Sequence, residues 1–139
     1  MAEMTLKVRL LLESDGKILL LKQTSRQGGK YSLVGGFVER GETPIEALIR
    51  ECKEEAGIDL LPVDLHLIHT LHKSKGRERR ITLYFRATHF VGKARSMEPR
   101  KFQDAVWFPL KKLPSNLSST TEHVLLQYKS GNKYSEYVL

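Results

Sequence analysis

The sequence predicts a single mixed α/β domain over residues 1–139, with one amphipathic helix packed on a sheet. Three observations carry this expectation. Short β-branched and aliphatic runs lie on both sides of one helical segment. Within that segment, residues 44–56, apolar positions recur at spacings of three and four. No internal repeat, low-complexity stretch or linker divides the chain, and its 139 residues suit one core.

The elements follow in order. Residues 5–12 and 18–22 read as strands joined by the turn Ser14-Asp15-Gly16-Lys17. Residues 24–30 are polar and glycine-rich, which predicts a mobile loop. A short strand at 31–34 runs into Gly35-Gly36. Thr43 suits a helix cap, Pro44 the first helical position, and Glu46 the positive end of the dipole. The helix runs to Ala56, and Gly57 stops it. Residues 65–72 and 80–91 read as strands around a basic turn at 73–79. A strand at 105–108, one helical turn at 110–113 ended by Pro114, and a last helix at 120–129 complete the chain.

Composition narrows the function classes. The longest aliphatic stretches, residues 8–12 (interrupted by Arg9) and 18–21, are far short of the roughly 20 residues a membrane helix needs. The first residues show no basic-then-apolar leader, and Cys52 is the sole cysteine, so no intrachain disulfide can form. These features point to a cytoplasmic protein with no membrane partner. The net charge of +7 attracts polyanions, nucleotides or nucleic acid, without choosing between them.

The helix at 44–56 carries the chemistry. Ile45, Leu48, Ile49, Cys52 and Ala56 form its apolar back, and Glu51, Glu54 and Glu55 fall on a neighbouring arc. Like charges at helical spacing cost about 0.2–0.5 kcal/mol a pair. A solvated acidic face or a bound hard cation would each accommodate them. Arg50, four residues before Glu54, can steady one carboxylate.

The wider pattern favours the cation. The stretch from Gly36 to Ile58, GFVERGETPIEALIRECKEEAGI, resembles the Nudix box G-x5-E-x7-R-E-U-x-E-E-x-G-U, where U is bulky and apolar. Gly36, Glu42, Arg50, Glu51, Glu54, Glu55, Gly57 and Ile58 match it. Cys52 stands where Leu, Ile or Val is usual, and a buried cysteine behaves as a small hydrophobe. The lead-in Tyr31-Ser32-Leu33-Val34-Gly35-Gly36 is similar to the family's aromatic-x-x-Pro-Gly-Gly entry, with Val34 in place of Pro. Trp107-Phe108-Pro109-Leu110 and Leu113-Pro114 also look like family members.

The resemblance implies an α/β/α sandwich around a mixed sheet, with the box as a loop-helix-loop. It implies Mg²⁺, with Mn²⁺ as a substitute, held by Glu51, Glu54, Glu55 and the Gly35 carbonyl. Glu42 would support the loop or reach a second metal, and Arg50 would orient the acidic cluster. Glu54 is the first choice for the base that takes a proton from water.

Outside the box, Lys22 is a candidate for meeting phosphate, and Tyr84 and Phe108 for lining a base pocket. Each also reads as ordinary surface or core. Arg77, Arg79 and Arg80 read first as an exposed basic turn, and Glu98, Gln103 and Asp104 as a loop that could add a metal ligand. Strand alternation sends His69 to the face opposite His66 and His72, which argues against a zinc cluster. Cys52, inside the helix, is not read as a nucleophile.

The expected function is therefore Mg²⁺-dependent cleavage of a pyrophosphate bond in a nucleoside diphosphate derivative. A nucleoside triphosphate, normal or damaged, yielding monophosphate and pyrophosphate, leads. ADP-ribose, a nucleotide sugar or a dinucleoside polyphosphate are alternatives within the same chemistry. A non-catalytic nucleotide- or RNA-binding domain is the alternative of another class. The chain would act as a monomer or homodimer.

Overall fold

The computed structural model describes residues 3–139. Its elements are β1 (Glu3–Ser14), β2 (Lys17–Gln23), β3 (Tyr31–Ser32), β4 (Val34–Phe37), α1 (Pro44–Ala56), β5 (His66–Lys75), β6 (Glu78–Ala87), β7 (Phe102–Pro109), α2 (Ser119–Lys129) and β8 (Tyr134–Val138). Asp15 and Gly16, both at positive φ (52° and 74°), make the two-residue turn from β1 to β2. Only Glu13 and Ser14 of β1 pair across this hairpin. Beyond it the two strands part.

β1 enters a mixed sheet ordered β4-β1-β6-β5-β8. Its pairing with β6 is parallel and with β4 antiparallel. β2 instead pairs antiparallel with β3 and β7. Helices cover opposite faces. Val8, Leu10 and Leu12 of β1, with Leu19, Leu21, Val34 and Phe85, form the core beneath Leu48, Cys52 and Ala56 of α1. The alternating residues Leu11, Ile18, Leu20 and Tyr84 pack with Val124 and Leu125 of α2. Coverage of both faces explains why these strands read as nearly unbroken apolar runs. The α/β/α architecture expected from sequence is thus present.

Several local expectations change. The segment 24–30 is an ordered turn, with a 3₁₀ element at Ser25–Gln27 and backbone bonds from Gln23 N to Lys30 O (2.9 Å) and from Thr24 N to Lys101 O (3.0 Å). The proposed helical turn at 110–113 is a single hydrogen-bonded turn, Lys112 N to Pro109 O at 3.0 Å. β8 carries no strand signal in the sequence: its exposed, polar alternation becomes a strand only by parallel pairing with β5. Gln103 and Asp104 belong to β7 rather than to a loop.

Two corrections concern β5 and β6. The strands continue to Lys75 and from Glu78, so the turn shrinks to Gly76 and Arg77. Lys73, Arg79 and Arg80 are therefore sheet residues. A bulge between Leu67 and His69 also reverses the alternation, placing His66 opposite Arg86 and His69 opposite Tyr84. His66 and His69 thus share a face, and His72, opposite Ile81, takes the other. His69 is fully buried and bonded to the Asn132 carbonyl (2.8 Å) and Ser135 Oγ (2.7 Å), a structural tie between β5 and β8.

Candidate active site

The local sequence builds α1 as expected. Thr43 and Glu46 form a reciprocal capping box, Pro44 occupies the first turn, and Gly57 closes the helix at φ 69°. Ala47, Leu48, Cys52, Glu55 and Ala56 are its buried residues, so the acidic arc is graded rather than uniform. Glu55 is only 5% exposed, whereas the Glu51 and Glu54 side chains are 15% and 53% exposed.

The grading comes from β4, which crosses α1 at its two glycines. Gly35 N–H donates to Glu55 Oε1 at 2.9 Å. A Cβ at Gly35, whose φ is +151°, would stand 2.0 Å from the Val8 carbonyl oxygen. At Gly36 a Cβ would meet the Glu51 carboxyl carbon at 2.5 Å. Gly35 requires glycine because the backbone of β1 leaves no room, whereas an added methyl at Gly36 would displace the Glu51 carboxylate.

Arg50 is the hub of the remaining carboxylates. Its guanidinium donates to both oxygens of Glu42 (2.7 and 3.1 Å), to Glu51 (2.9 Å), to Glu54 (3.3 Å) and to the Phe37 carbonyl (3.2 Å). Its bond to Glu42, then that to Glu51, raises its pKa further above the usual arginine range. The same pairing holds Glu42 below the ordinary carboxylate value. Glu42 also accepts from Glu39 N–H at 2.8 Å, so it braces the loop ahead of α1.

Burial, above all, pushes the Glu55 carboxyl up to about 7, and the charges of Glu51 and Glu98 add to this. Glu98 is brought near by a segment tied to the end of α1: Arg95 N–H bonds the Ala56 carbonyl (3.1 Å) and Met97 N–H the Glu55 carbonyl (2.9 Å). These bonds satisfy carbonyls that a helix terminus leaves open. Glu98, read from sequence mainly as a solvated loop residue, is therefore held on the side of α1 that carries Glu55, with its own carboxylate paired to Lys101 at 3.4 Å. No local pattern around it encodes that placement.

Among the described residues, no three carboxyl, imidazole or thiol side chains converge tightly enough to cage a cation alone. The donor chemistry nevertheless fits Mg²⁺, which keeps several waters and needs only one or two carboxylates plus substrate phosphate. One guanidinium faces Glu42, Glu51 and Glu54, so negative charge remains in excess even while Glu55 keeps its proton.

The other candidates separate. Tyr84, 3% exposed, lines a cavity of about 170 Å³ on the α2 face, and burial raises its hydroxyl to about 12. Lys22 sits with its ammonium 5.8 Å from the centre of the Tyr31 ring. Phe108 packs edge-on against the same ring at 5.0 Å, within the core beneath α2. Neither Lys22 nor Phe108 lines the Tyr84 cavity. Burial pushes the Cys52 thiol well above its usual range, consistent with a packing role.

Comparison with known proteins agrees with this geometry. The NUDIX domain model matches residues 6–128. The chain is 35% identical to an ADP-ribose pyrophosphatase of Methanocaldococcus jannaschii, over 85% of this chain and 69% of that protein. It is 34% identical to the nucleoside triphosphatase NudI of Escherichia coli, over 70% of this chain and 76% of that protein. A MutT NUDIX hydrolase structure from Burkholderia pseudomallei superposes with a TM-score of 0.81 at 29% identity, covering 90% of this chain and 98% of the other. With its box folded as a glycine-crossed acidic helix and the NUDIX model matching most of its length, the chain belongs to the Nudix hydrolase family.

Proposed function

We propose that this enzyme cleaves a nucleoside triphosphate to the monophosphate and pyrophosphate, using Mg²⁺ held by Glu51, Glu54, Glu55 and the Gly35 carbonyl. The observation that supports the site assignment is the close approach of β4 to α1, with the Gly35 N–H bonded to Glu55 and Gly36 set against the Glu51 carboxylate. When bound, the ion supplies charge neutralisation of the phosphates and acidification of water.

This chain's residues perform the rest. Arg50 and Glu42 keep the loop and the acidic flank in register. Glu54, half exposed and held by the longest of the Arg50 bonds to these carboxylates, is the group free to take the water proton on a carboxylate oxygen. Glu55 must lose its proton before it can serve as an anionic donor.

The triphosphatase relative supports a triphosphate substrate, and the archaeal relative supports ADP-ribose as the second reading. No helix is long and apolar enough to cross a membrane among the described residues.

The test is a panel of normal and oxidised nucleoside triphosphates, ADP-ribose, nucleotide sugars and dinucleoside polyphosphates with excess Mg²⁺, products being separated by chromatography. Glu54→Gln should abolish most turnover while leaving the fold intact. Near-normal turnover in that variant refutes Glu54 as the base. Silence of folded wild-type protein across the panel refutes the substrate reading.

A further inference from the structure

The registers of β1, β6 and β5 collect positive charge on the sheet face opposite α1. Thr5, Lys7 and Arg9 pair with Arg80, Thr82 and Tyr84, and Arg80 pairs in turn with Lys73. Lys7, Arg9, Lys73 and Arg80 thus stand on one face of three adjacent strands. They line the 170 Å³ cavity together with Tyr84, Ser118 and Thr121. Lys73 and Arg80 continue into a neighbouring cavity of about 460 Å³, which Lys75 and Arg79 also line, together with Glu78 and Leu139.

None of the four forms an ion pair with a carboxylate among the described residues. Neutral groups hold them instead. Arg9 donates to the Leu33 carbonyl (2.7 Å), Lys73 to Thr120 Oγ1 (2.8 Å) and Arg80 to Thr5 Oγ1 (3.3 Å). Lys7 and Arg80 each lie 4.9 Å from the centre of the Phe37 ring. Burial, then the charges of Arg9, Arg80 and Lys73, pull the Lys7 ammonium down to about 7. Four basic groups on one face, offset only by the charge of Glu55 acting on Lys7 and Arg9 from beyond ion-pair distance, are costly unless an anion completes them.

Phe37 connects this groove to the acidic centre. Its carbonyl accepts from Arg50, while its ring touches Lys7 and Arg80. Arg9 pairs with Gly35, whose N–H meets Glu55. A substrate whose pyrophosphate lies at the glutamates can therefore reach the groove across β4. A neutral base gains little from four cations, whereas phosphate oxygens match guanidinium and ammonium donors.

We infer that Lys7, Arg9, Lys73 and Arg80 seat a second phosphate, carried on the ribose of the substrate and separate from the pyrophosphate that is cut. This rests on the nucleotide-hydrolase reading above and sharpens its substrate class. Such a phosphate occurs on a small nucleotide phosphorylated at its 2′ or 3′ hydroxyl, or as the first diester of an RNA chain.

Calorimetry with adenosine 5′-monophosphate, the 2′,5′- and 3′,5′-bisphosphates and the dinucleotide pApA tests it without any bond being cut. At least one ribose-phosphorylated ligand should bind about ten-fold or more tightly than the monophosphate, the gain of one charge-assisted contact. Tightest binding by a bisphosphate identifies a small nucleotide, and by pApA an RNA end. Arg80→Gln and Lys73→Gln should each shrink the ratio toward one. Equal affinities across the set, or a preference that survives both substitutions, overturns the inference. Because the readout is binding, failure of the turnover panel does not decide it.

Discussion

Replacing Arg50 by Met removes the guanidinium paired with Glu42, Glu51 and Glu54 while keeping a long aliphatic stem. The wild-type guanidinium makes five hydrogen bonds, four of them to the carboxylates of Glu42, Glu51 and Glu54. Bonds to charged groups are worth about 1.5–3 kcal/mol each, but bonds sharing one side chain do not add. The Arg50 side chain is 25% exposed, so water screens part of the loss. The net cost is about 2–3 kcal/mol, placed below the figure for breaking a fully buried pair. For a chain of this length that lowers Tm by about 6–12 °C. Thermal unfolding followed by circular dichroism, without metal and then with saturating Mg²⁺, reads the effect. The ion should narrow the gap, because it replaces the lost positive charge among the same carboxylates. Equal Tm values for wild type and variant without metal would refute Arg50 as the neutralising hub. An unchanged gap with Mg²⁺ would refute the cluster as the metal seat.

Two further outcomes follow from the same geometry. Glu55, raised from the ordinary 4.5 to about 7, keeps a proton on folding that the unfolded chain has released. Its contribution to the metal-free protein is present below pH 4.5 and disappears as pH rises through about 7. The full span is worth about 3 kcal/mol, and Glu55→Gln should flatten the stability slope between pH 5 and 7; the same slope in the variant would exclude Glu55 as its source. Gly36→Ala should cost less than about 1 kcal/mol, because the added methyl meets the mobile end of Glu51 rather than backbone. It should nevertheless weaken Mg²⁺ binding and turnover by displacing that carboxylate, and unchanged Mg²⁺ affinity would count against Glu51 as a ligand.

Much of the site was legible from the chain. Capping at Thr43, termination at Gly57 and the apolar stripe through Leu48 and Cys52 follow from local rules, because a helix satisfies its backbone bonds within itself. The spacing of Arg50, Glu51, Glu54 and Glu55 then puts their charges on adjacent arcs whatever the helix packs against. Other features depend on partners distant in sequence. Glu55 is buried because β4 crosses it, Glu98 approaches because backbone bonds hold its segment to α1, and β8 exists because β5 offers an edge. The cations show the difference most clearly. Lys73 and Arg80 look like a solvated turn in sequence, while Lys7 and Arg9 are merely polar residues in an early strand. Parallel pairing of β1 with β6 sets all four side by side. A period-2 pattern fixes which residues share a face of one strand, but the register between strands is settled by packing of the whole sheet.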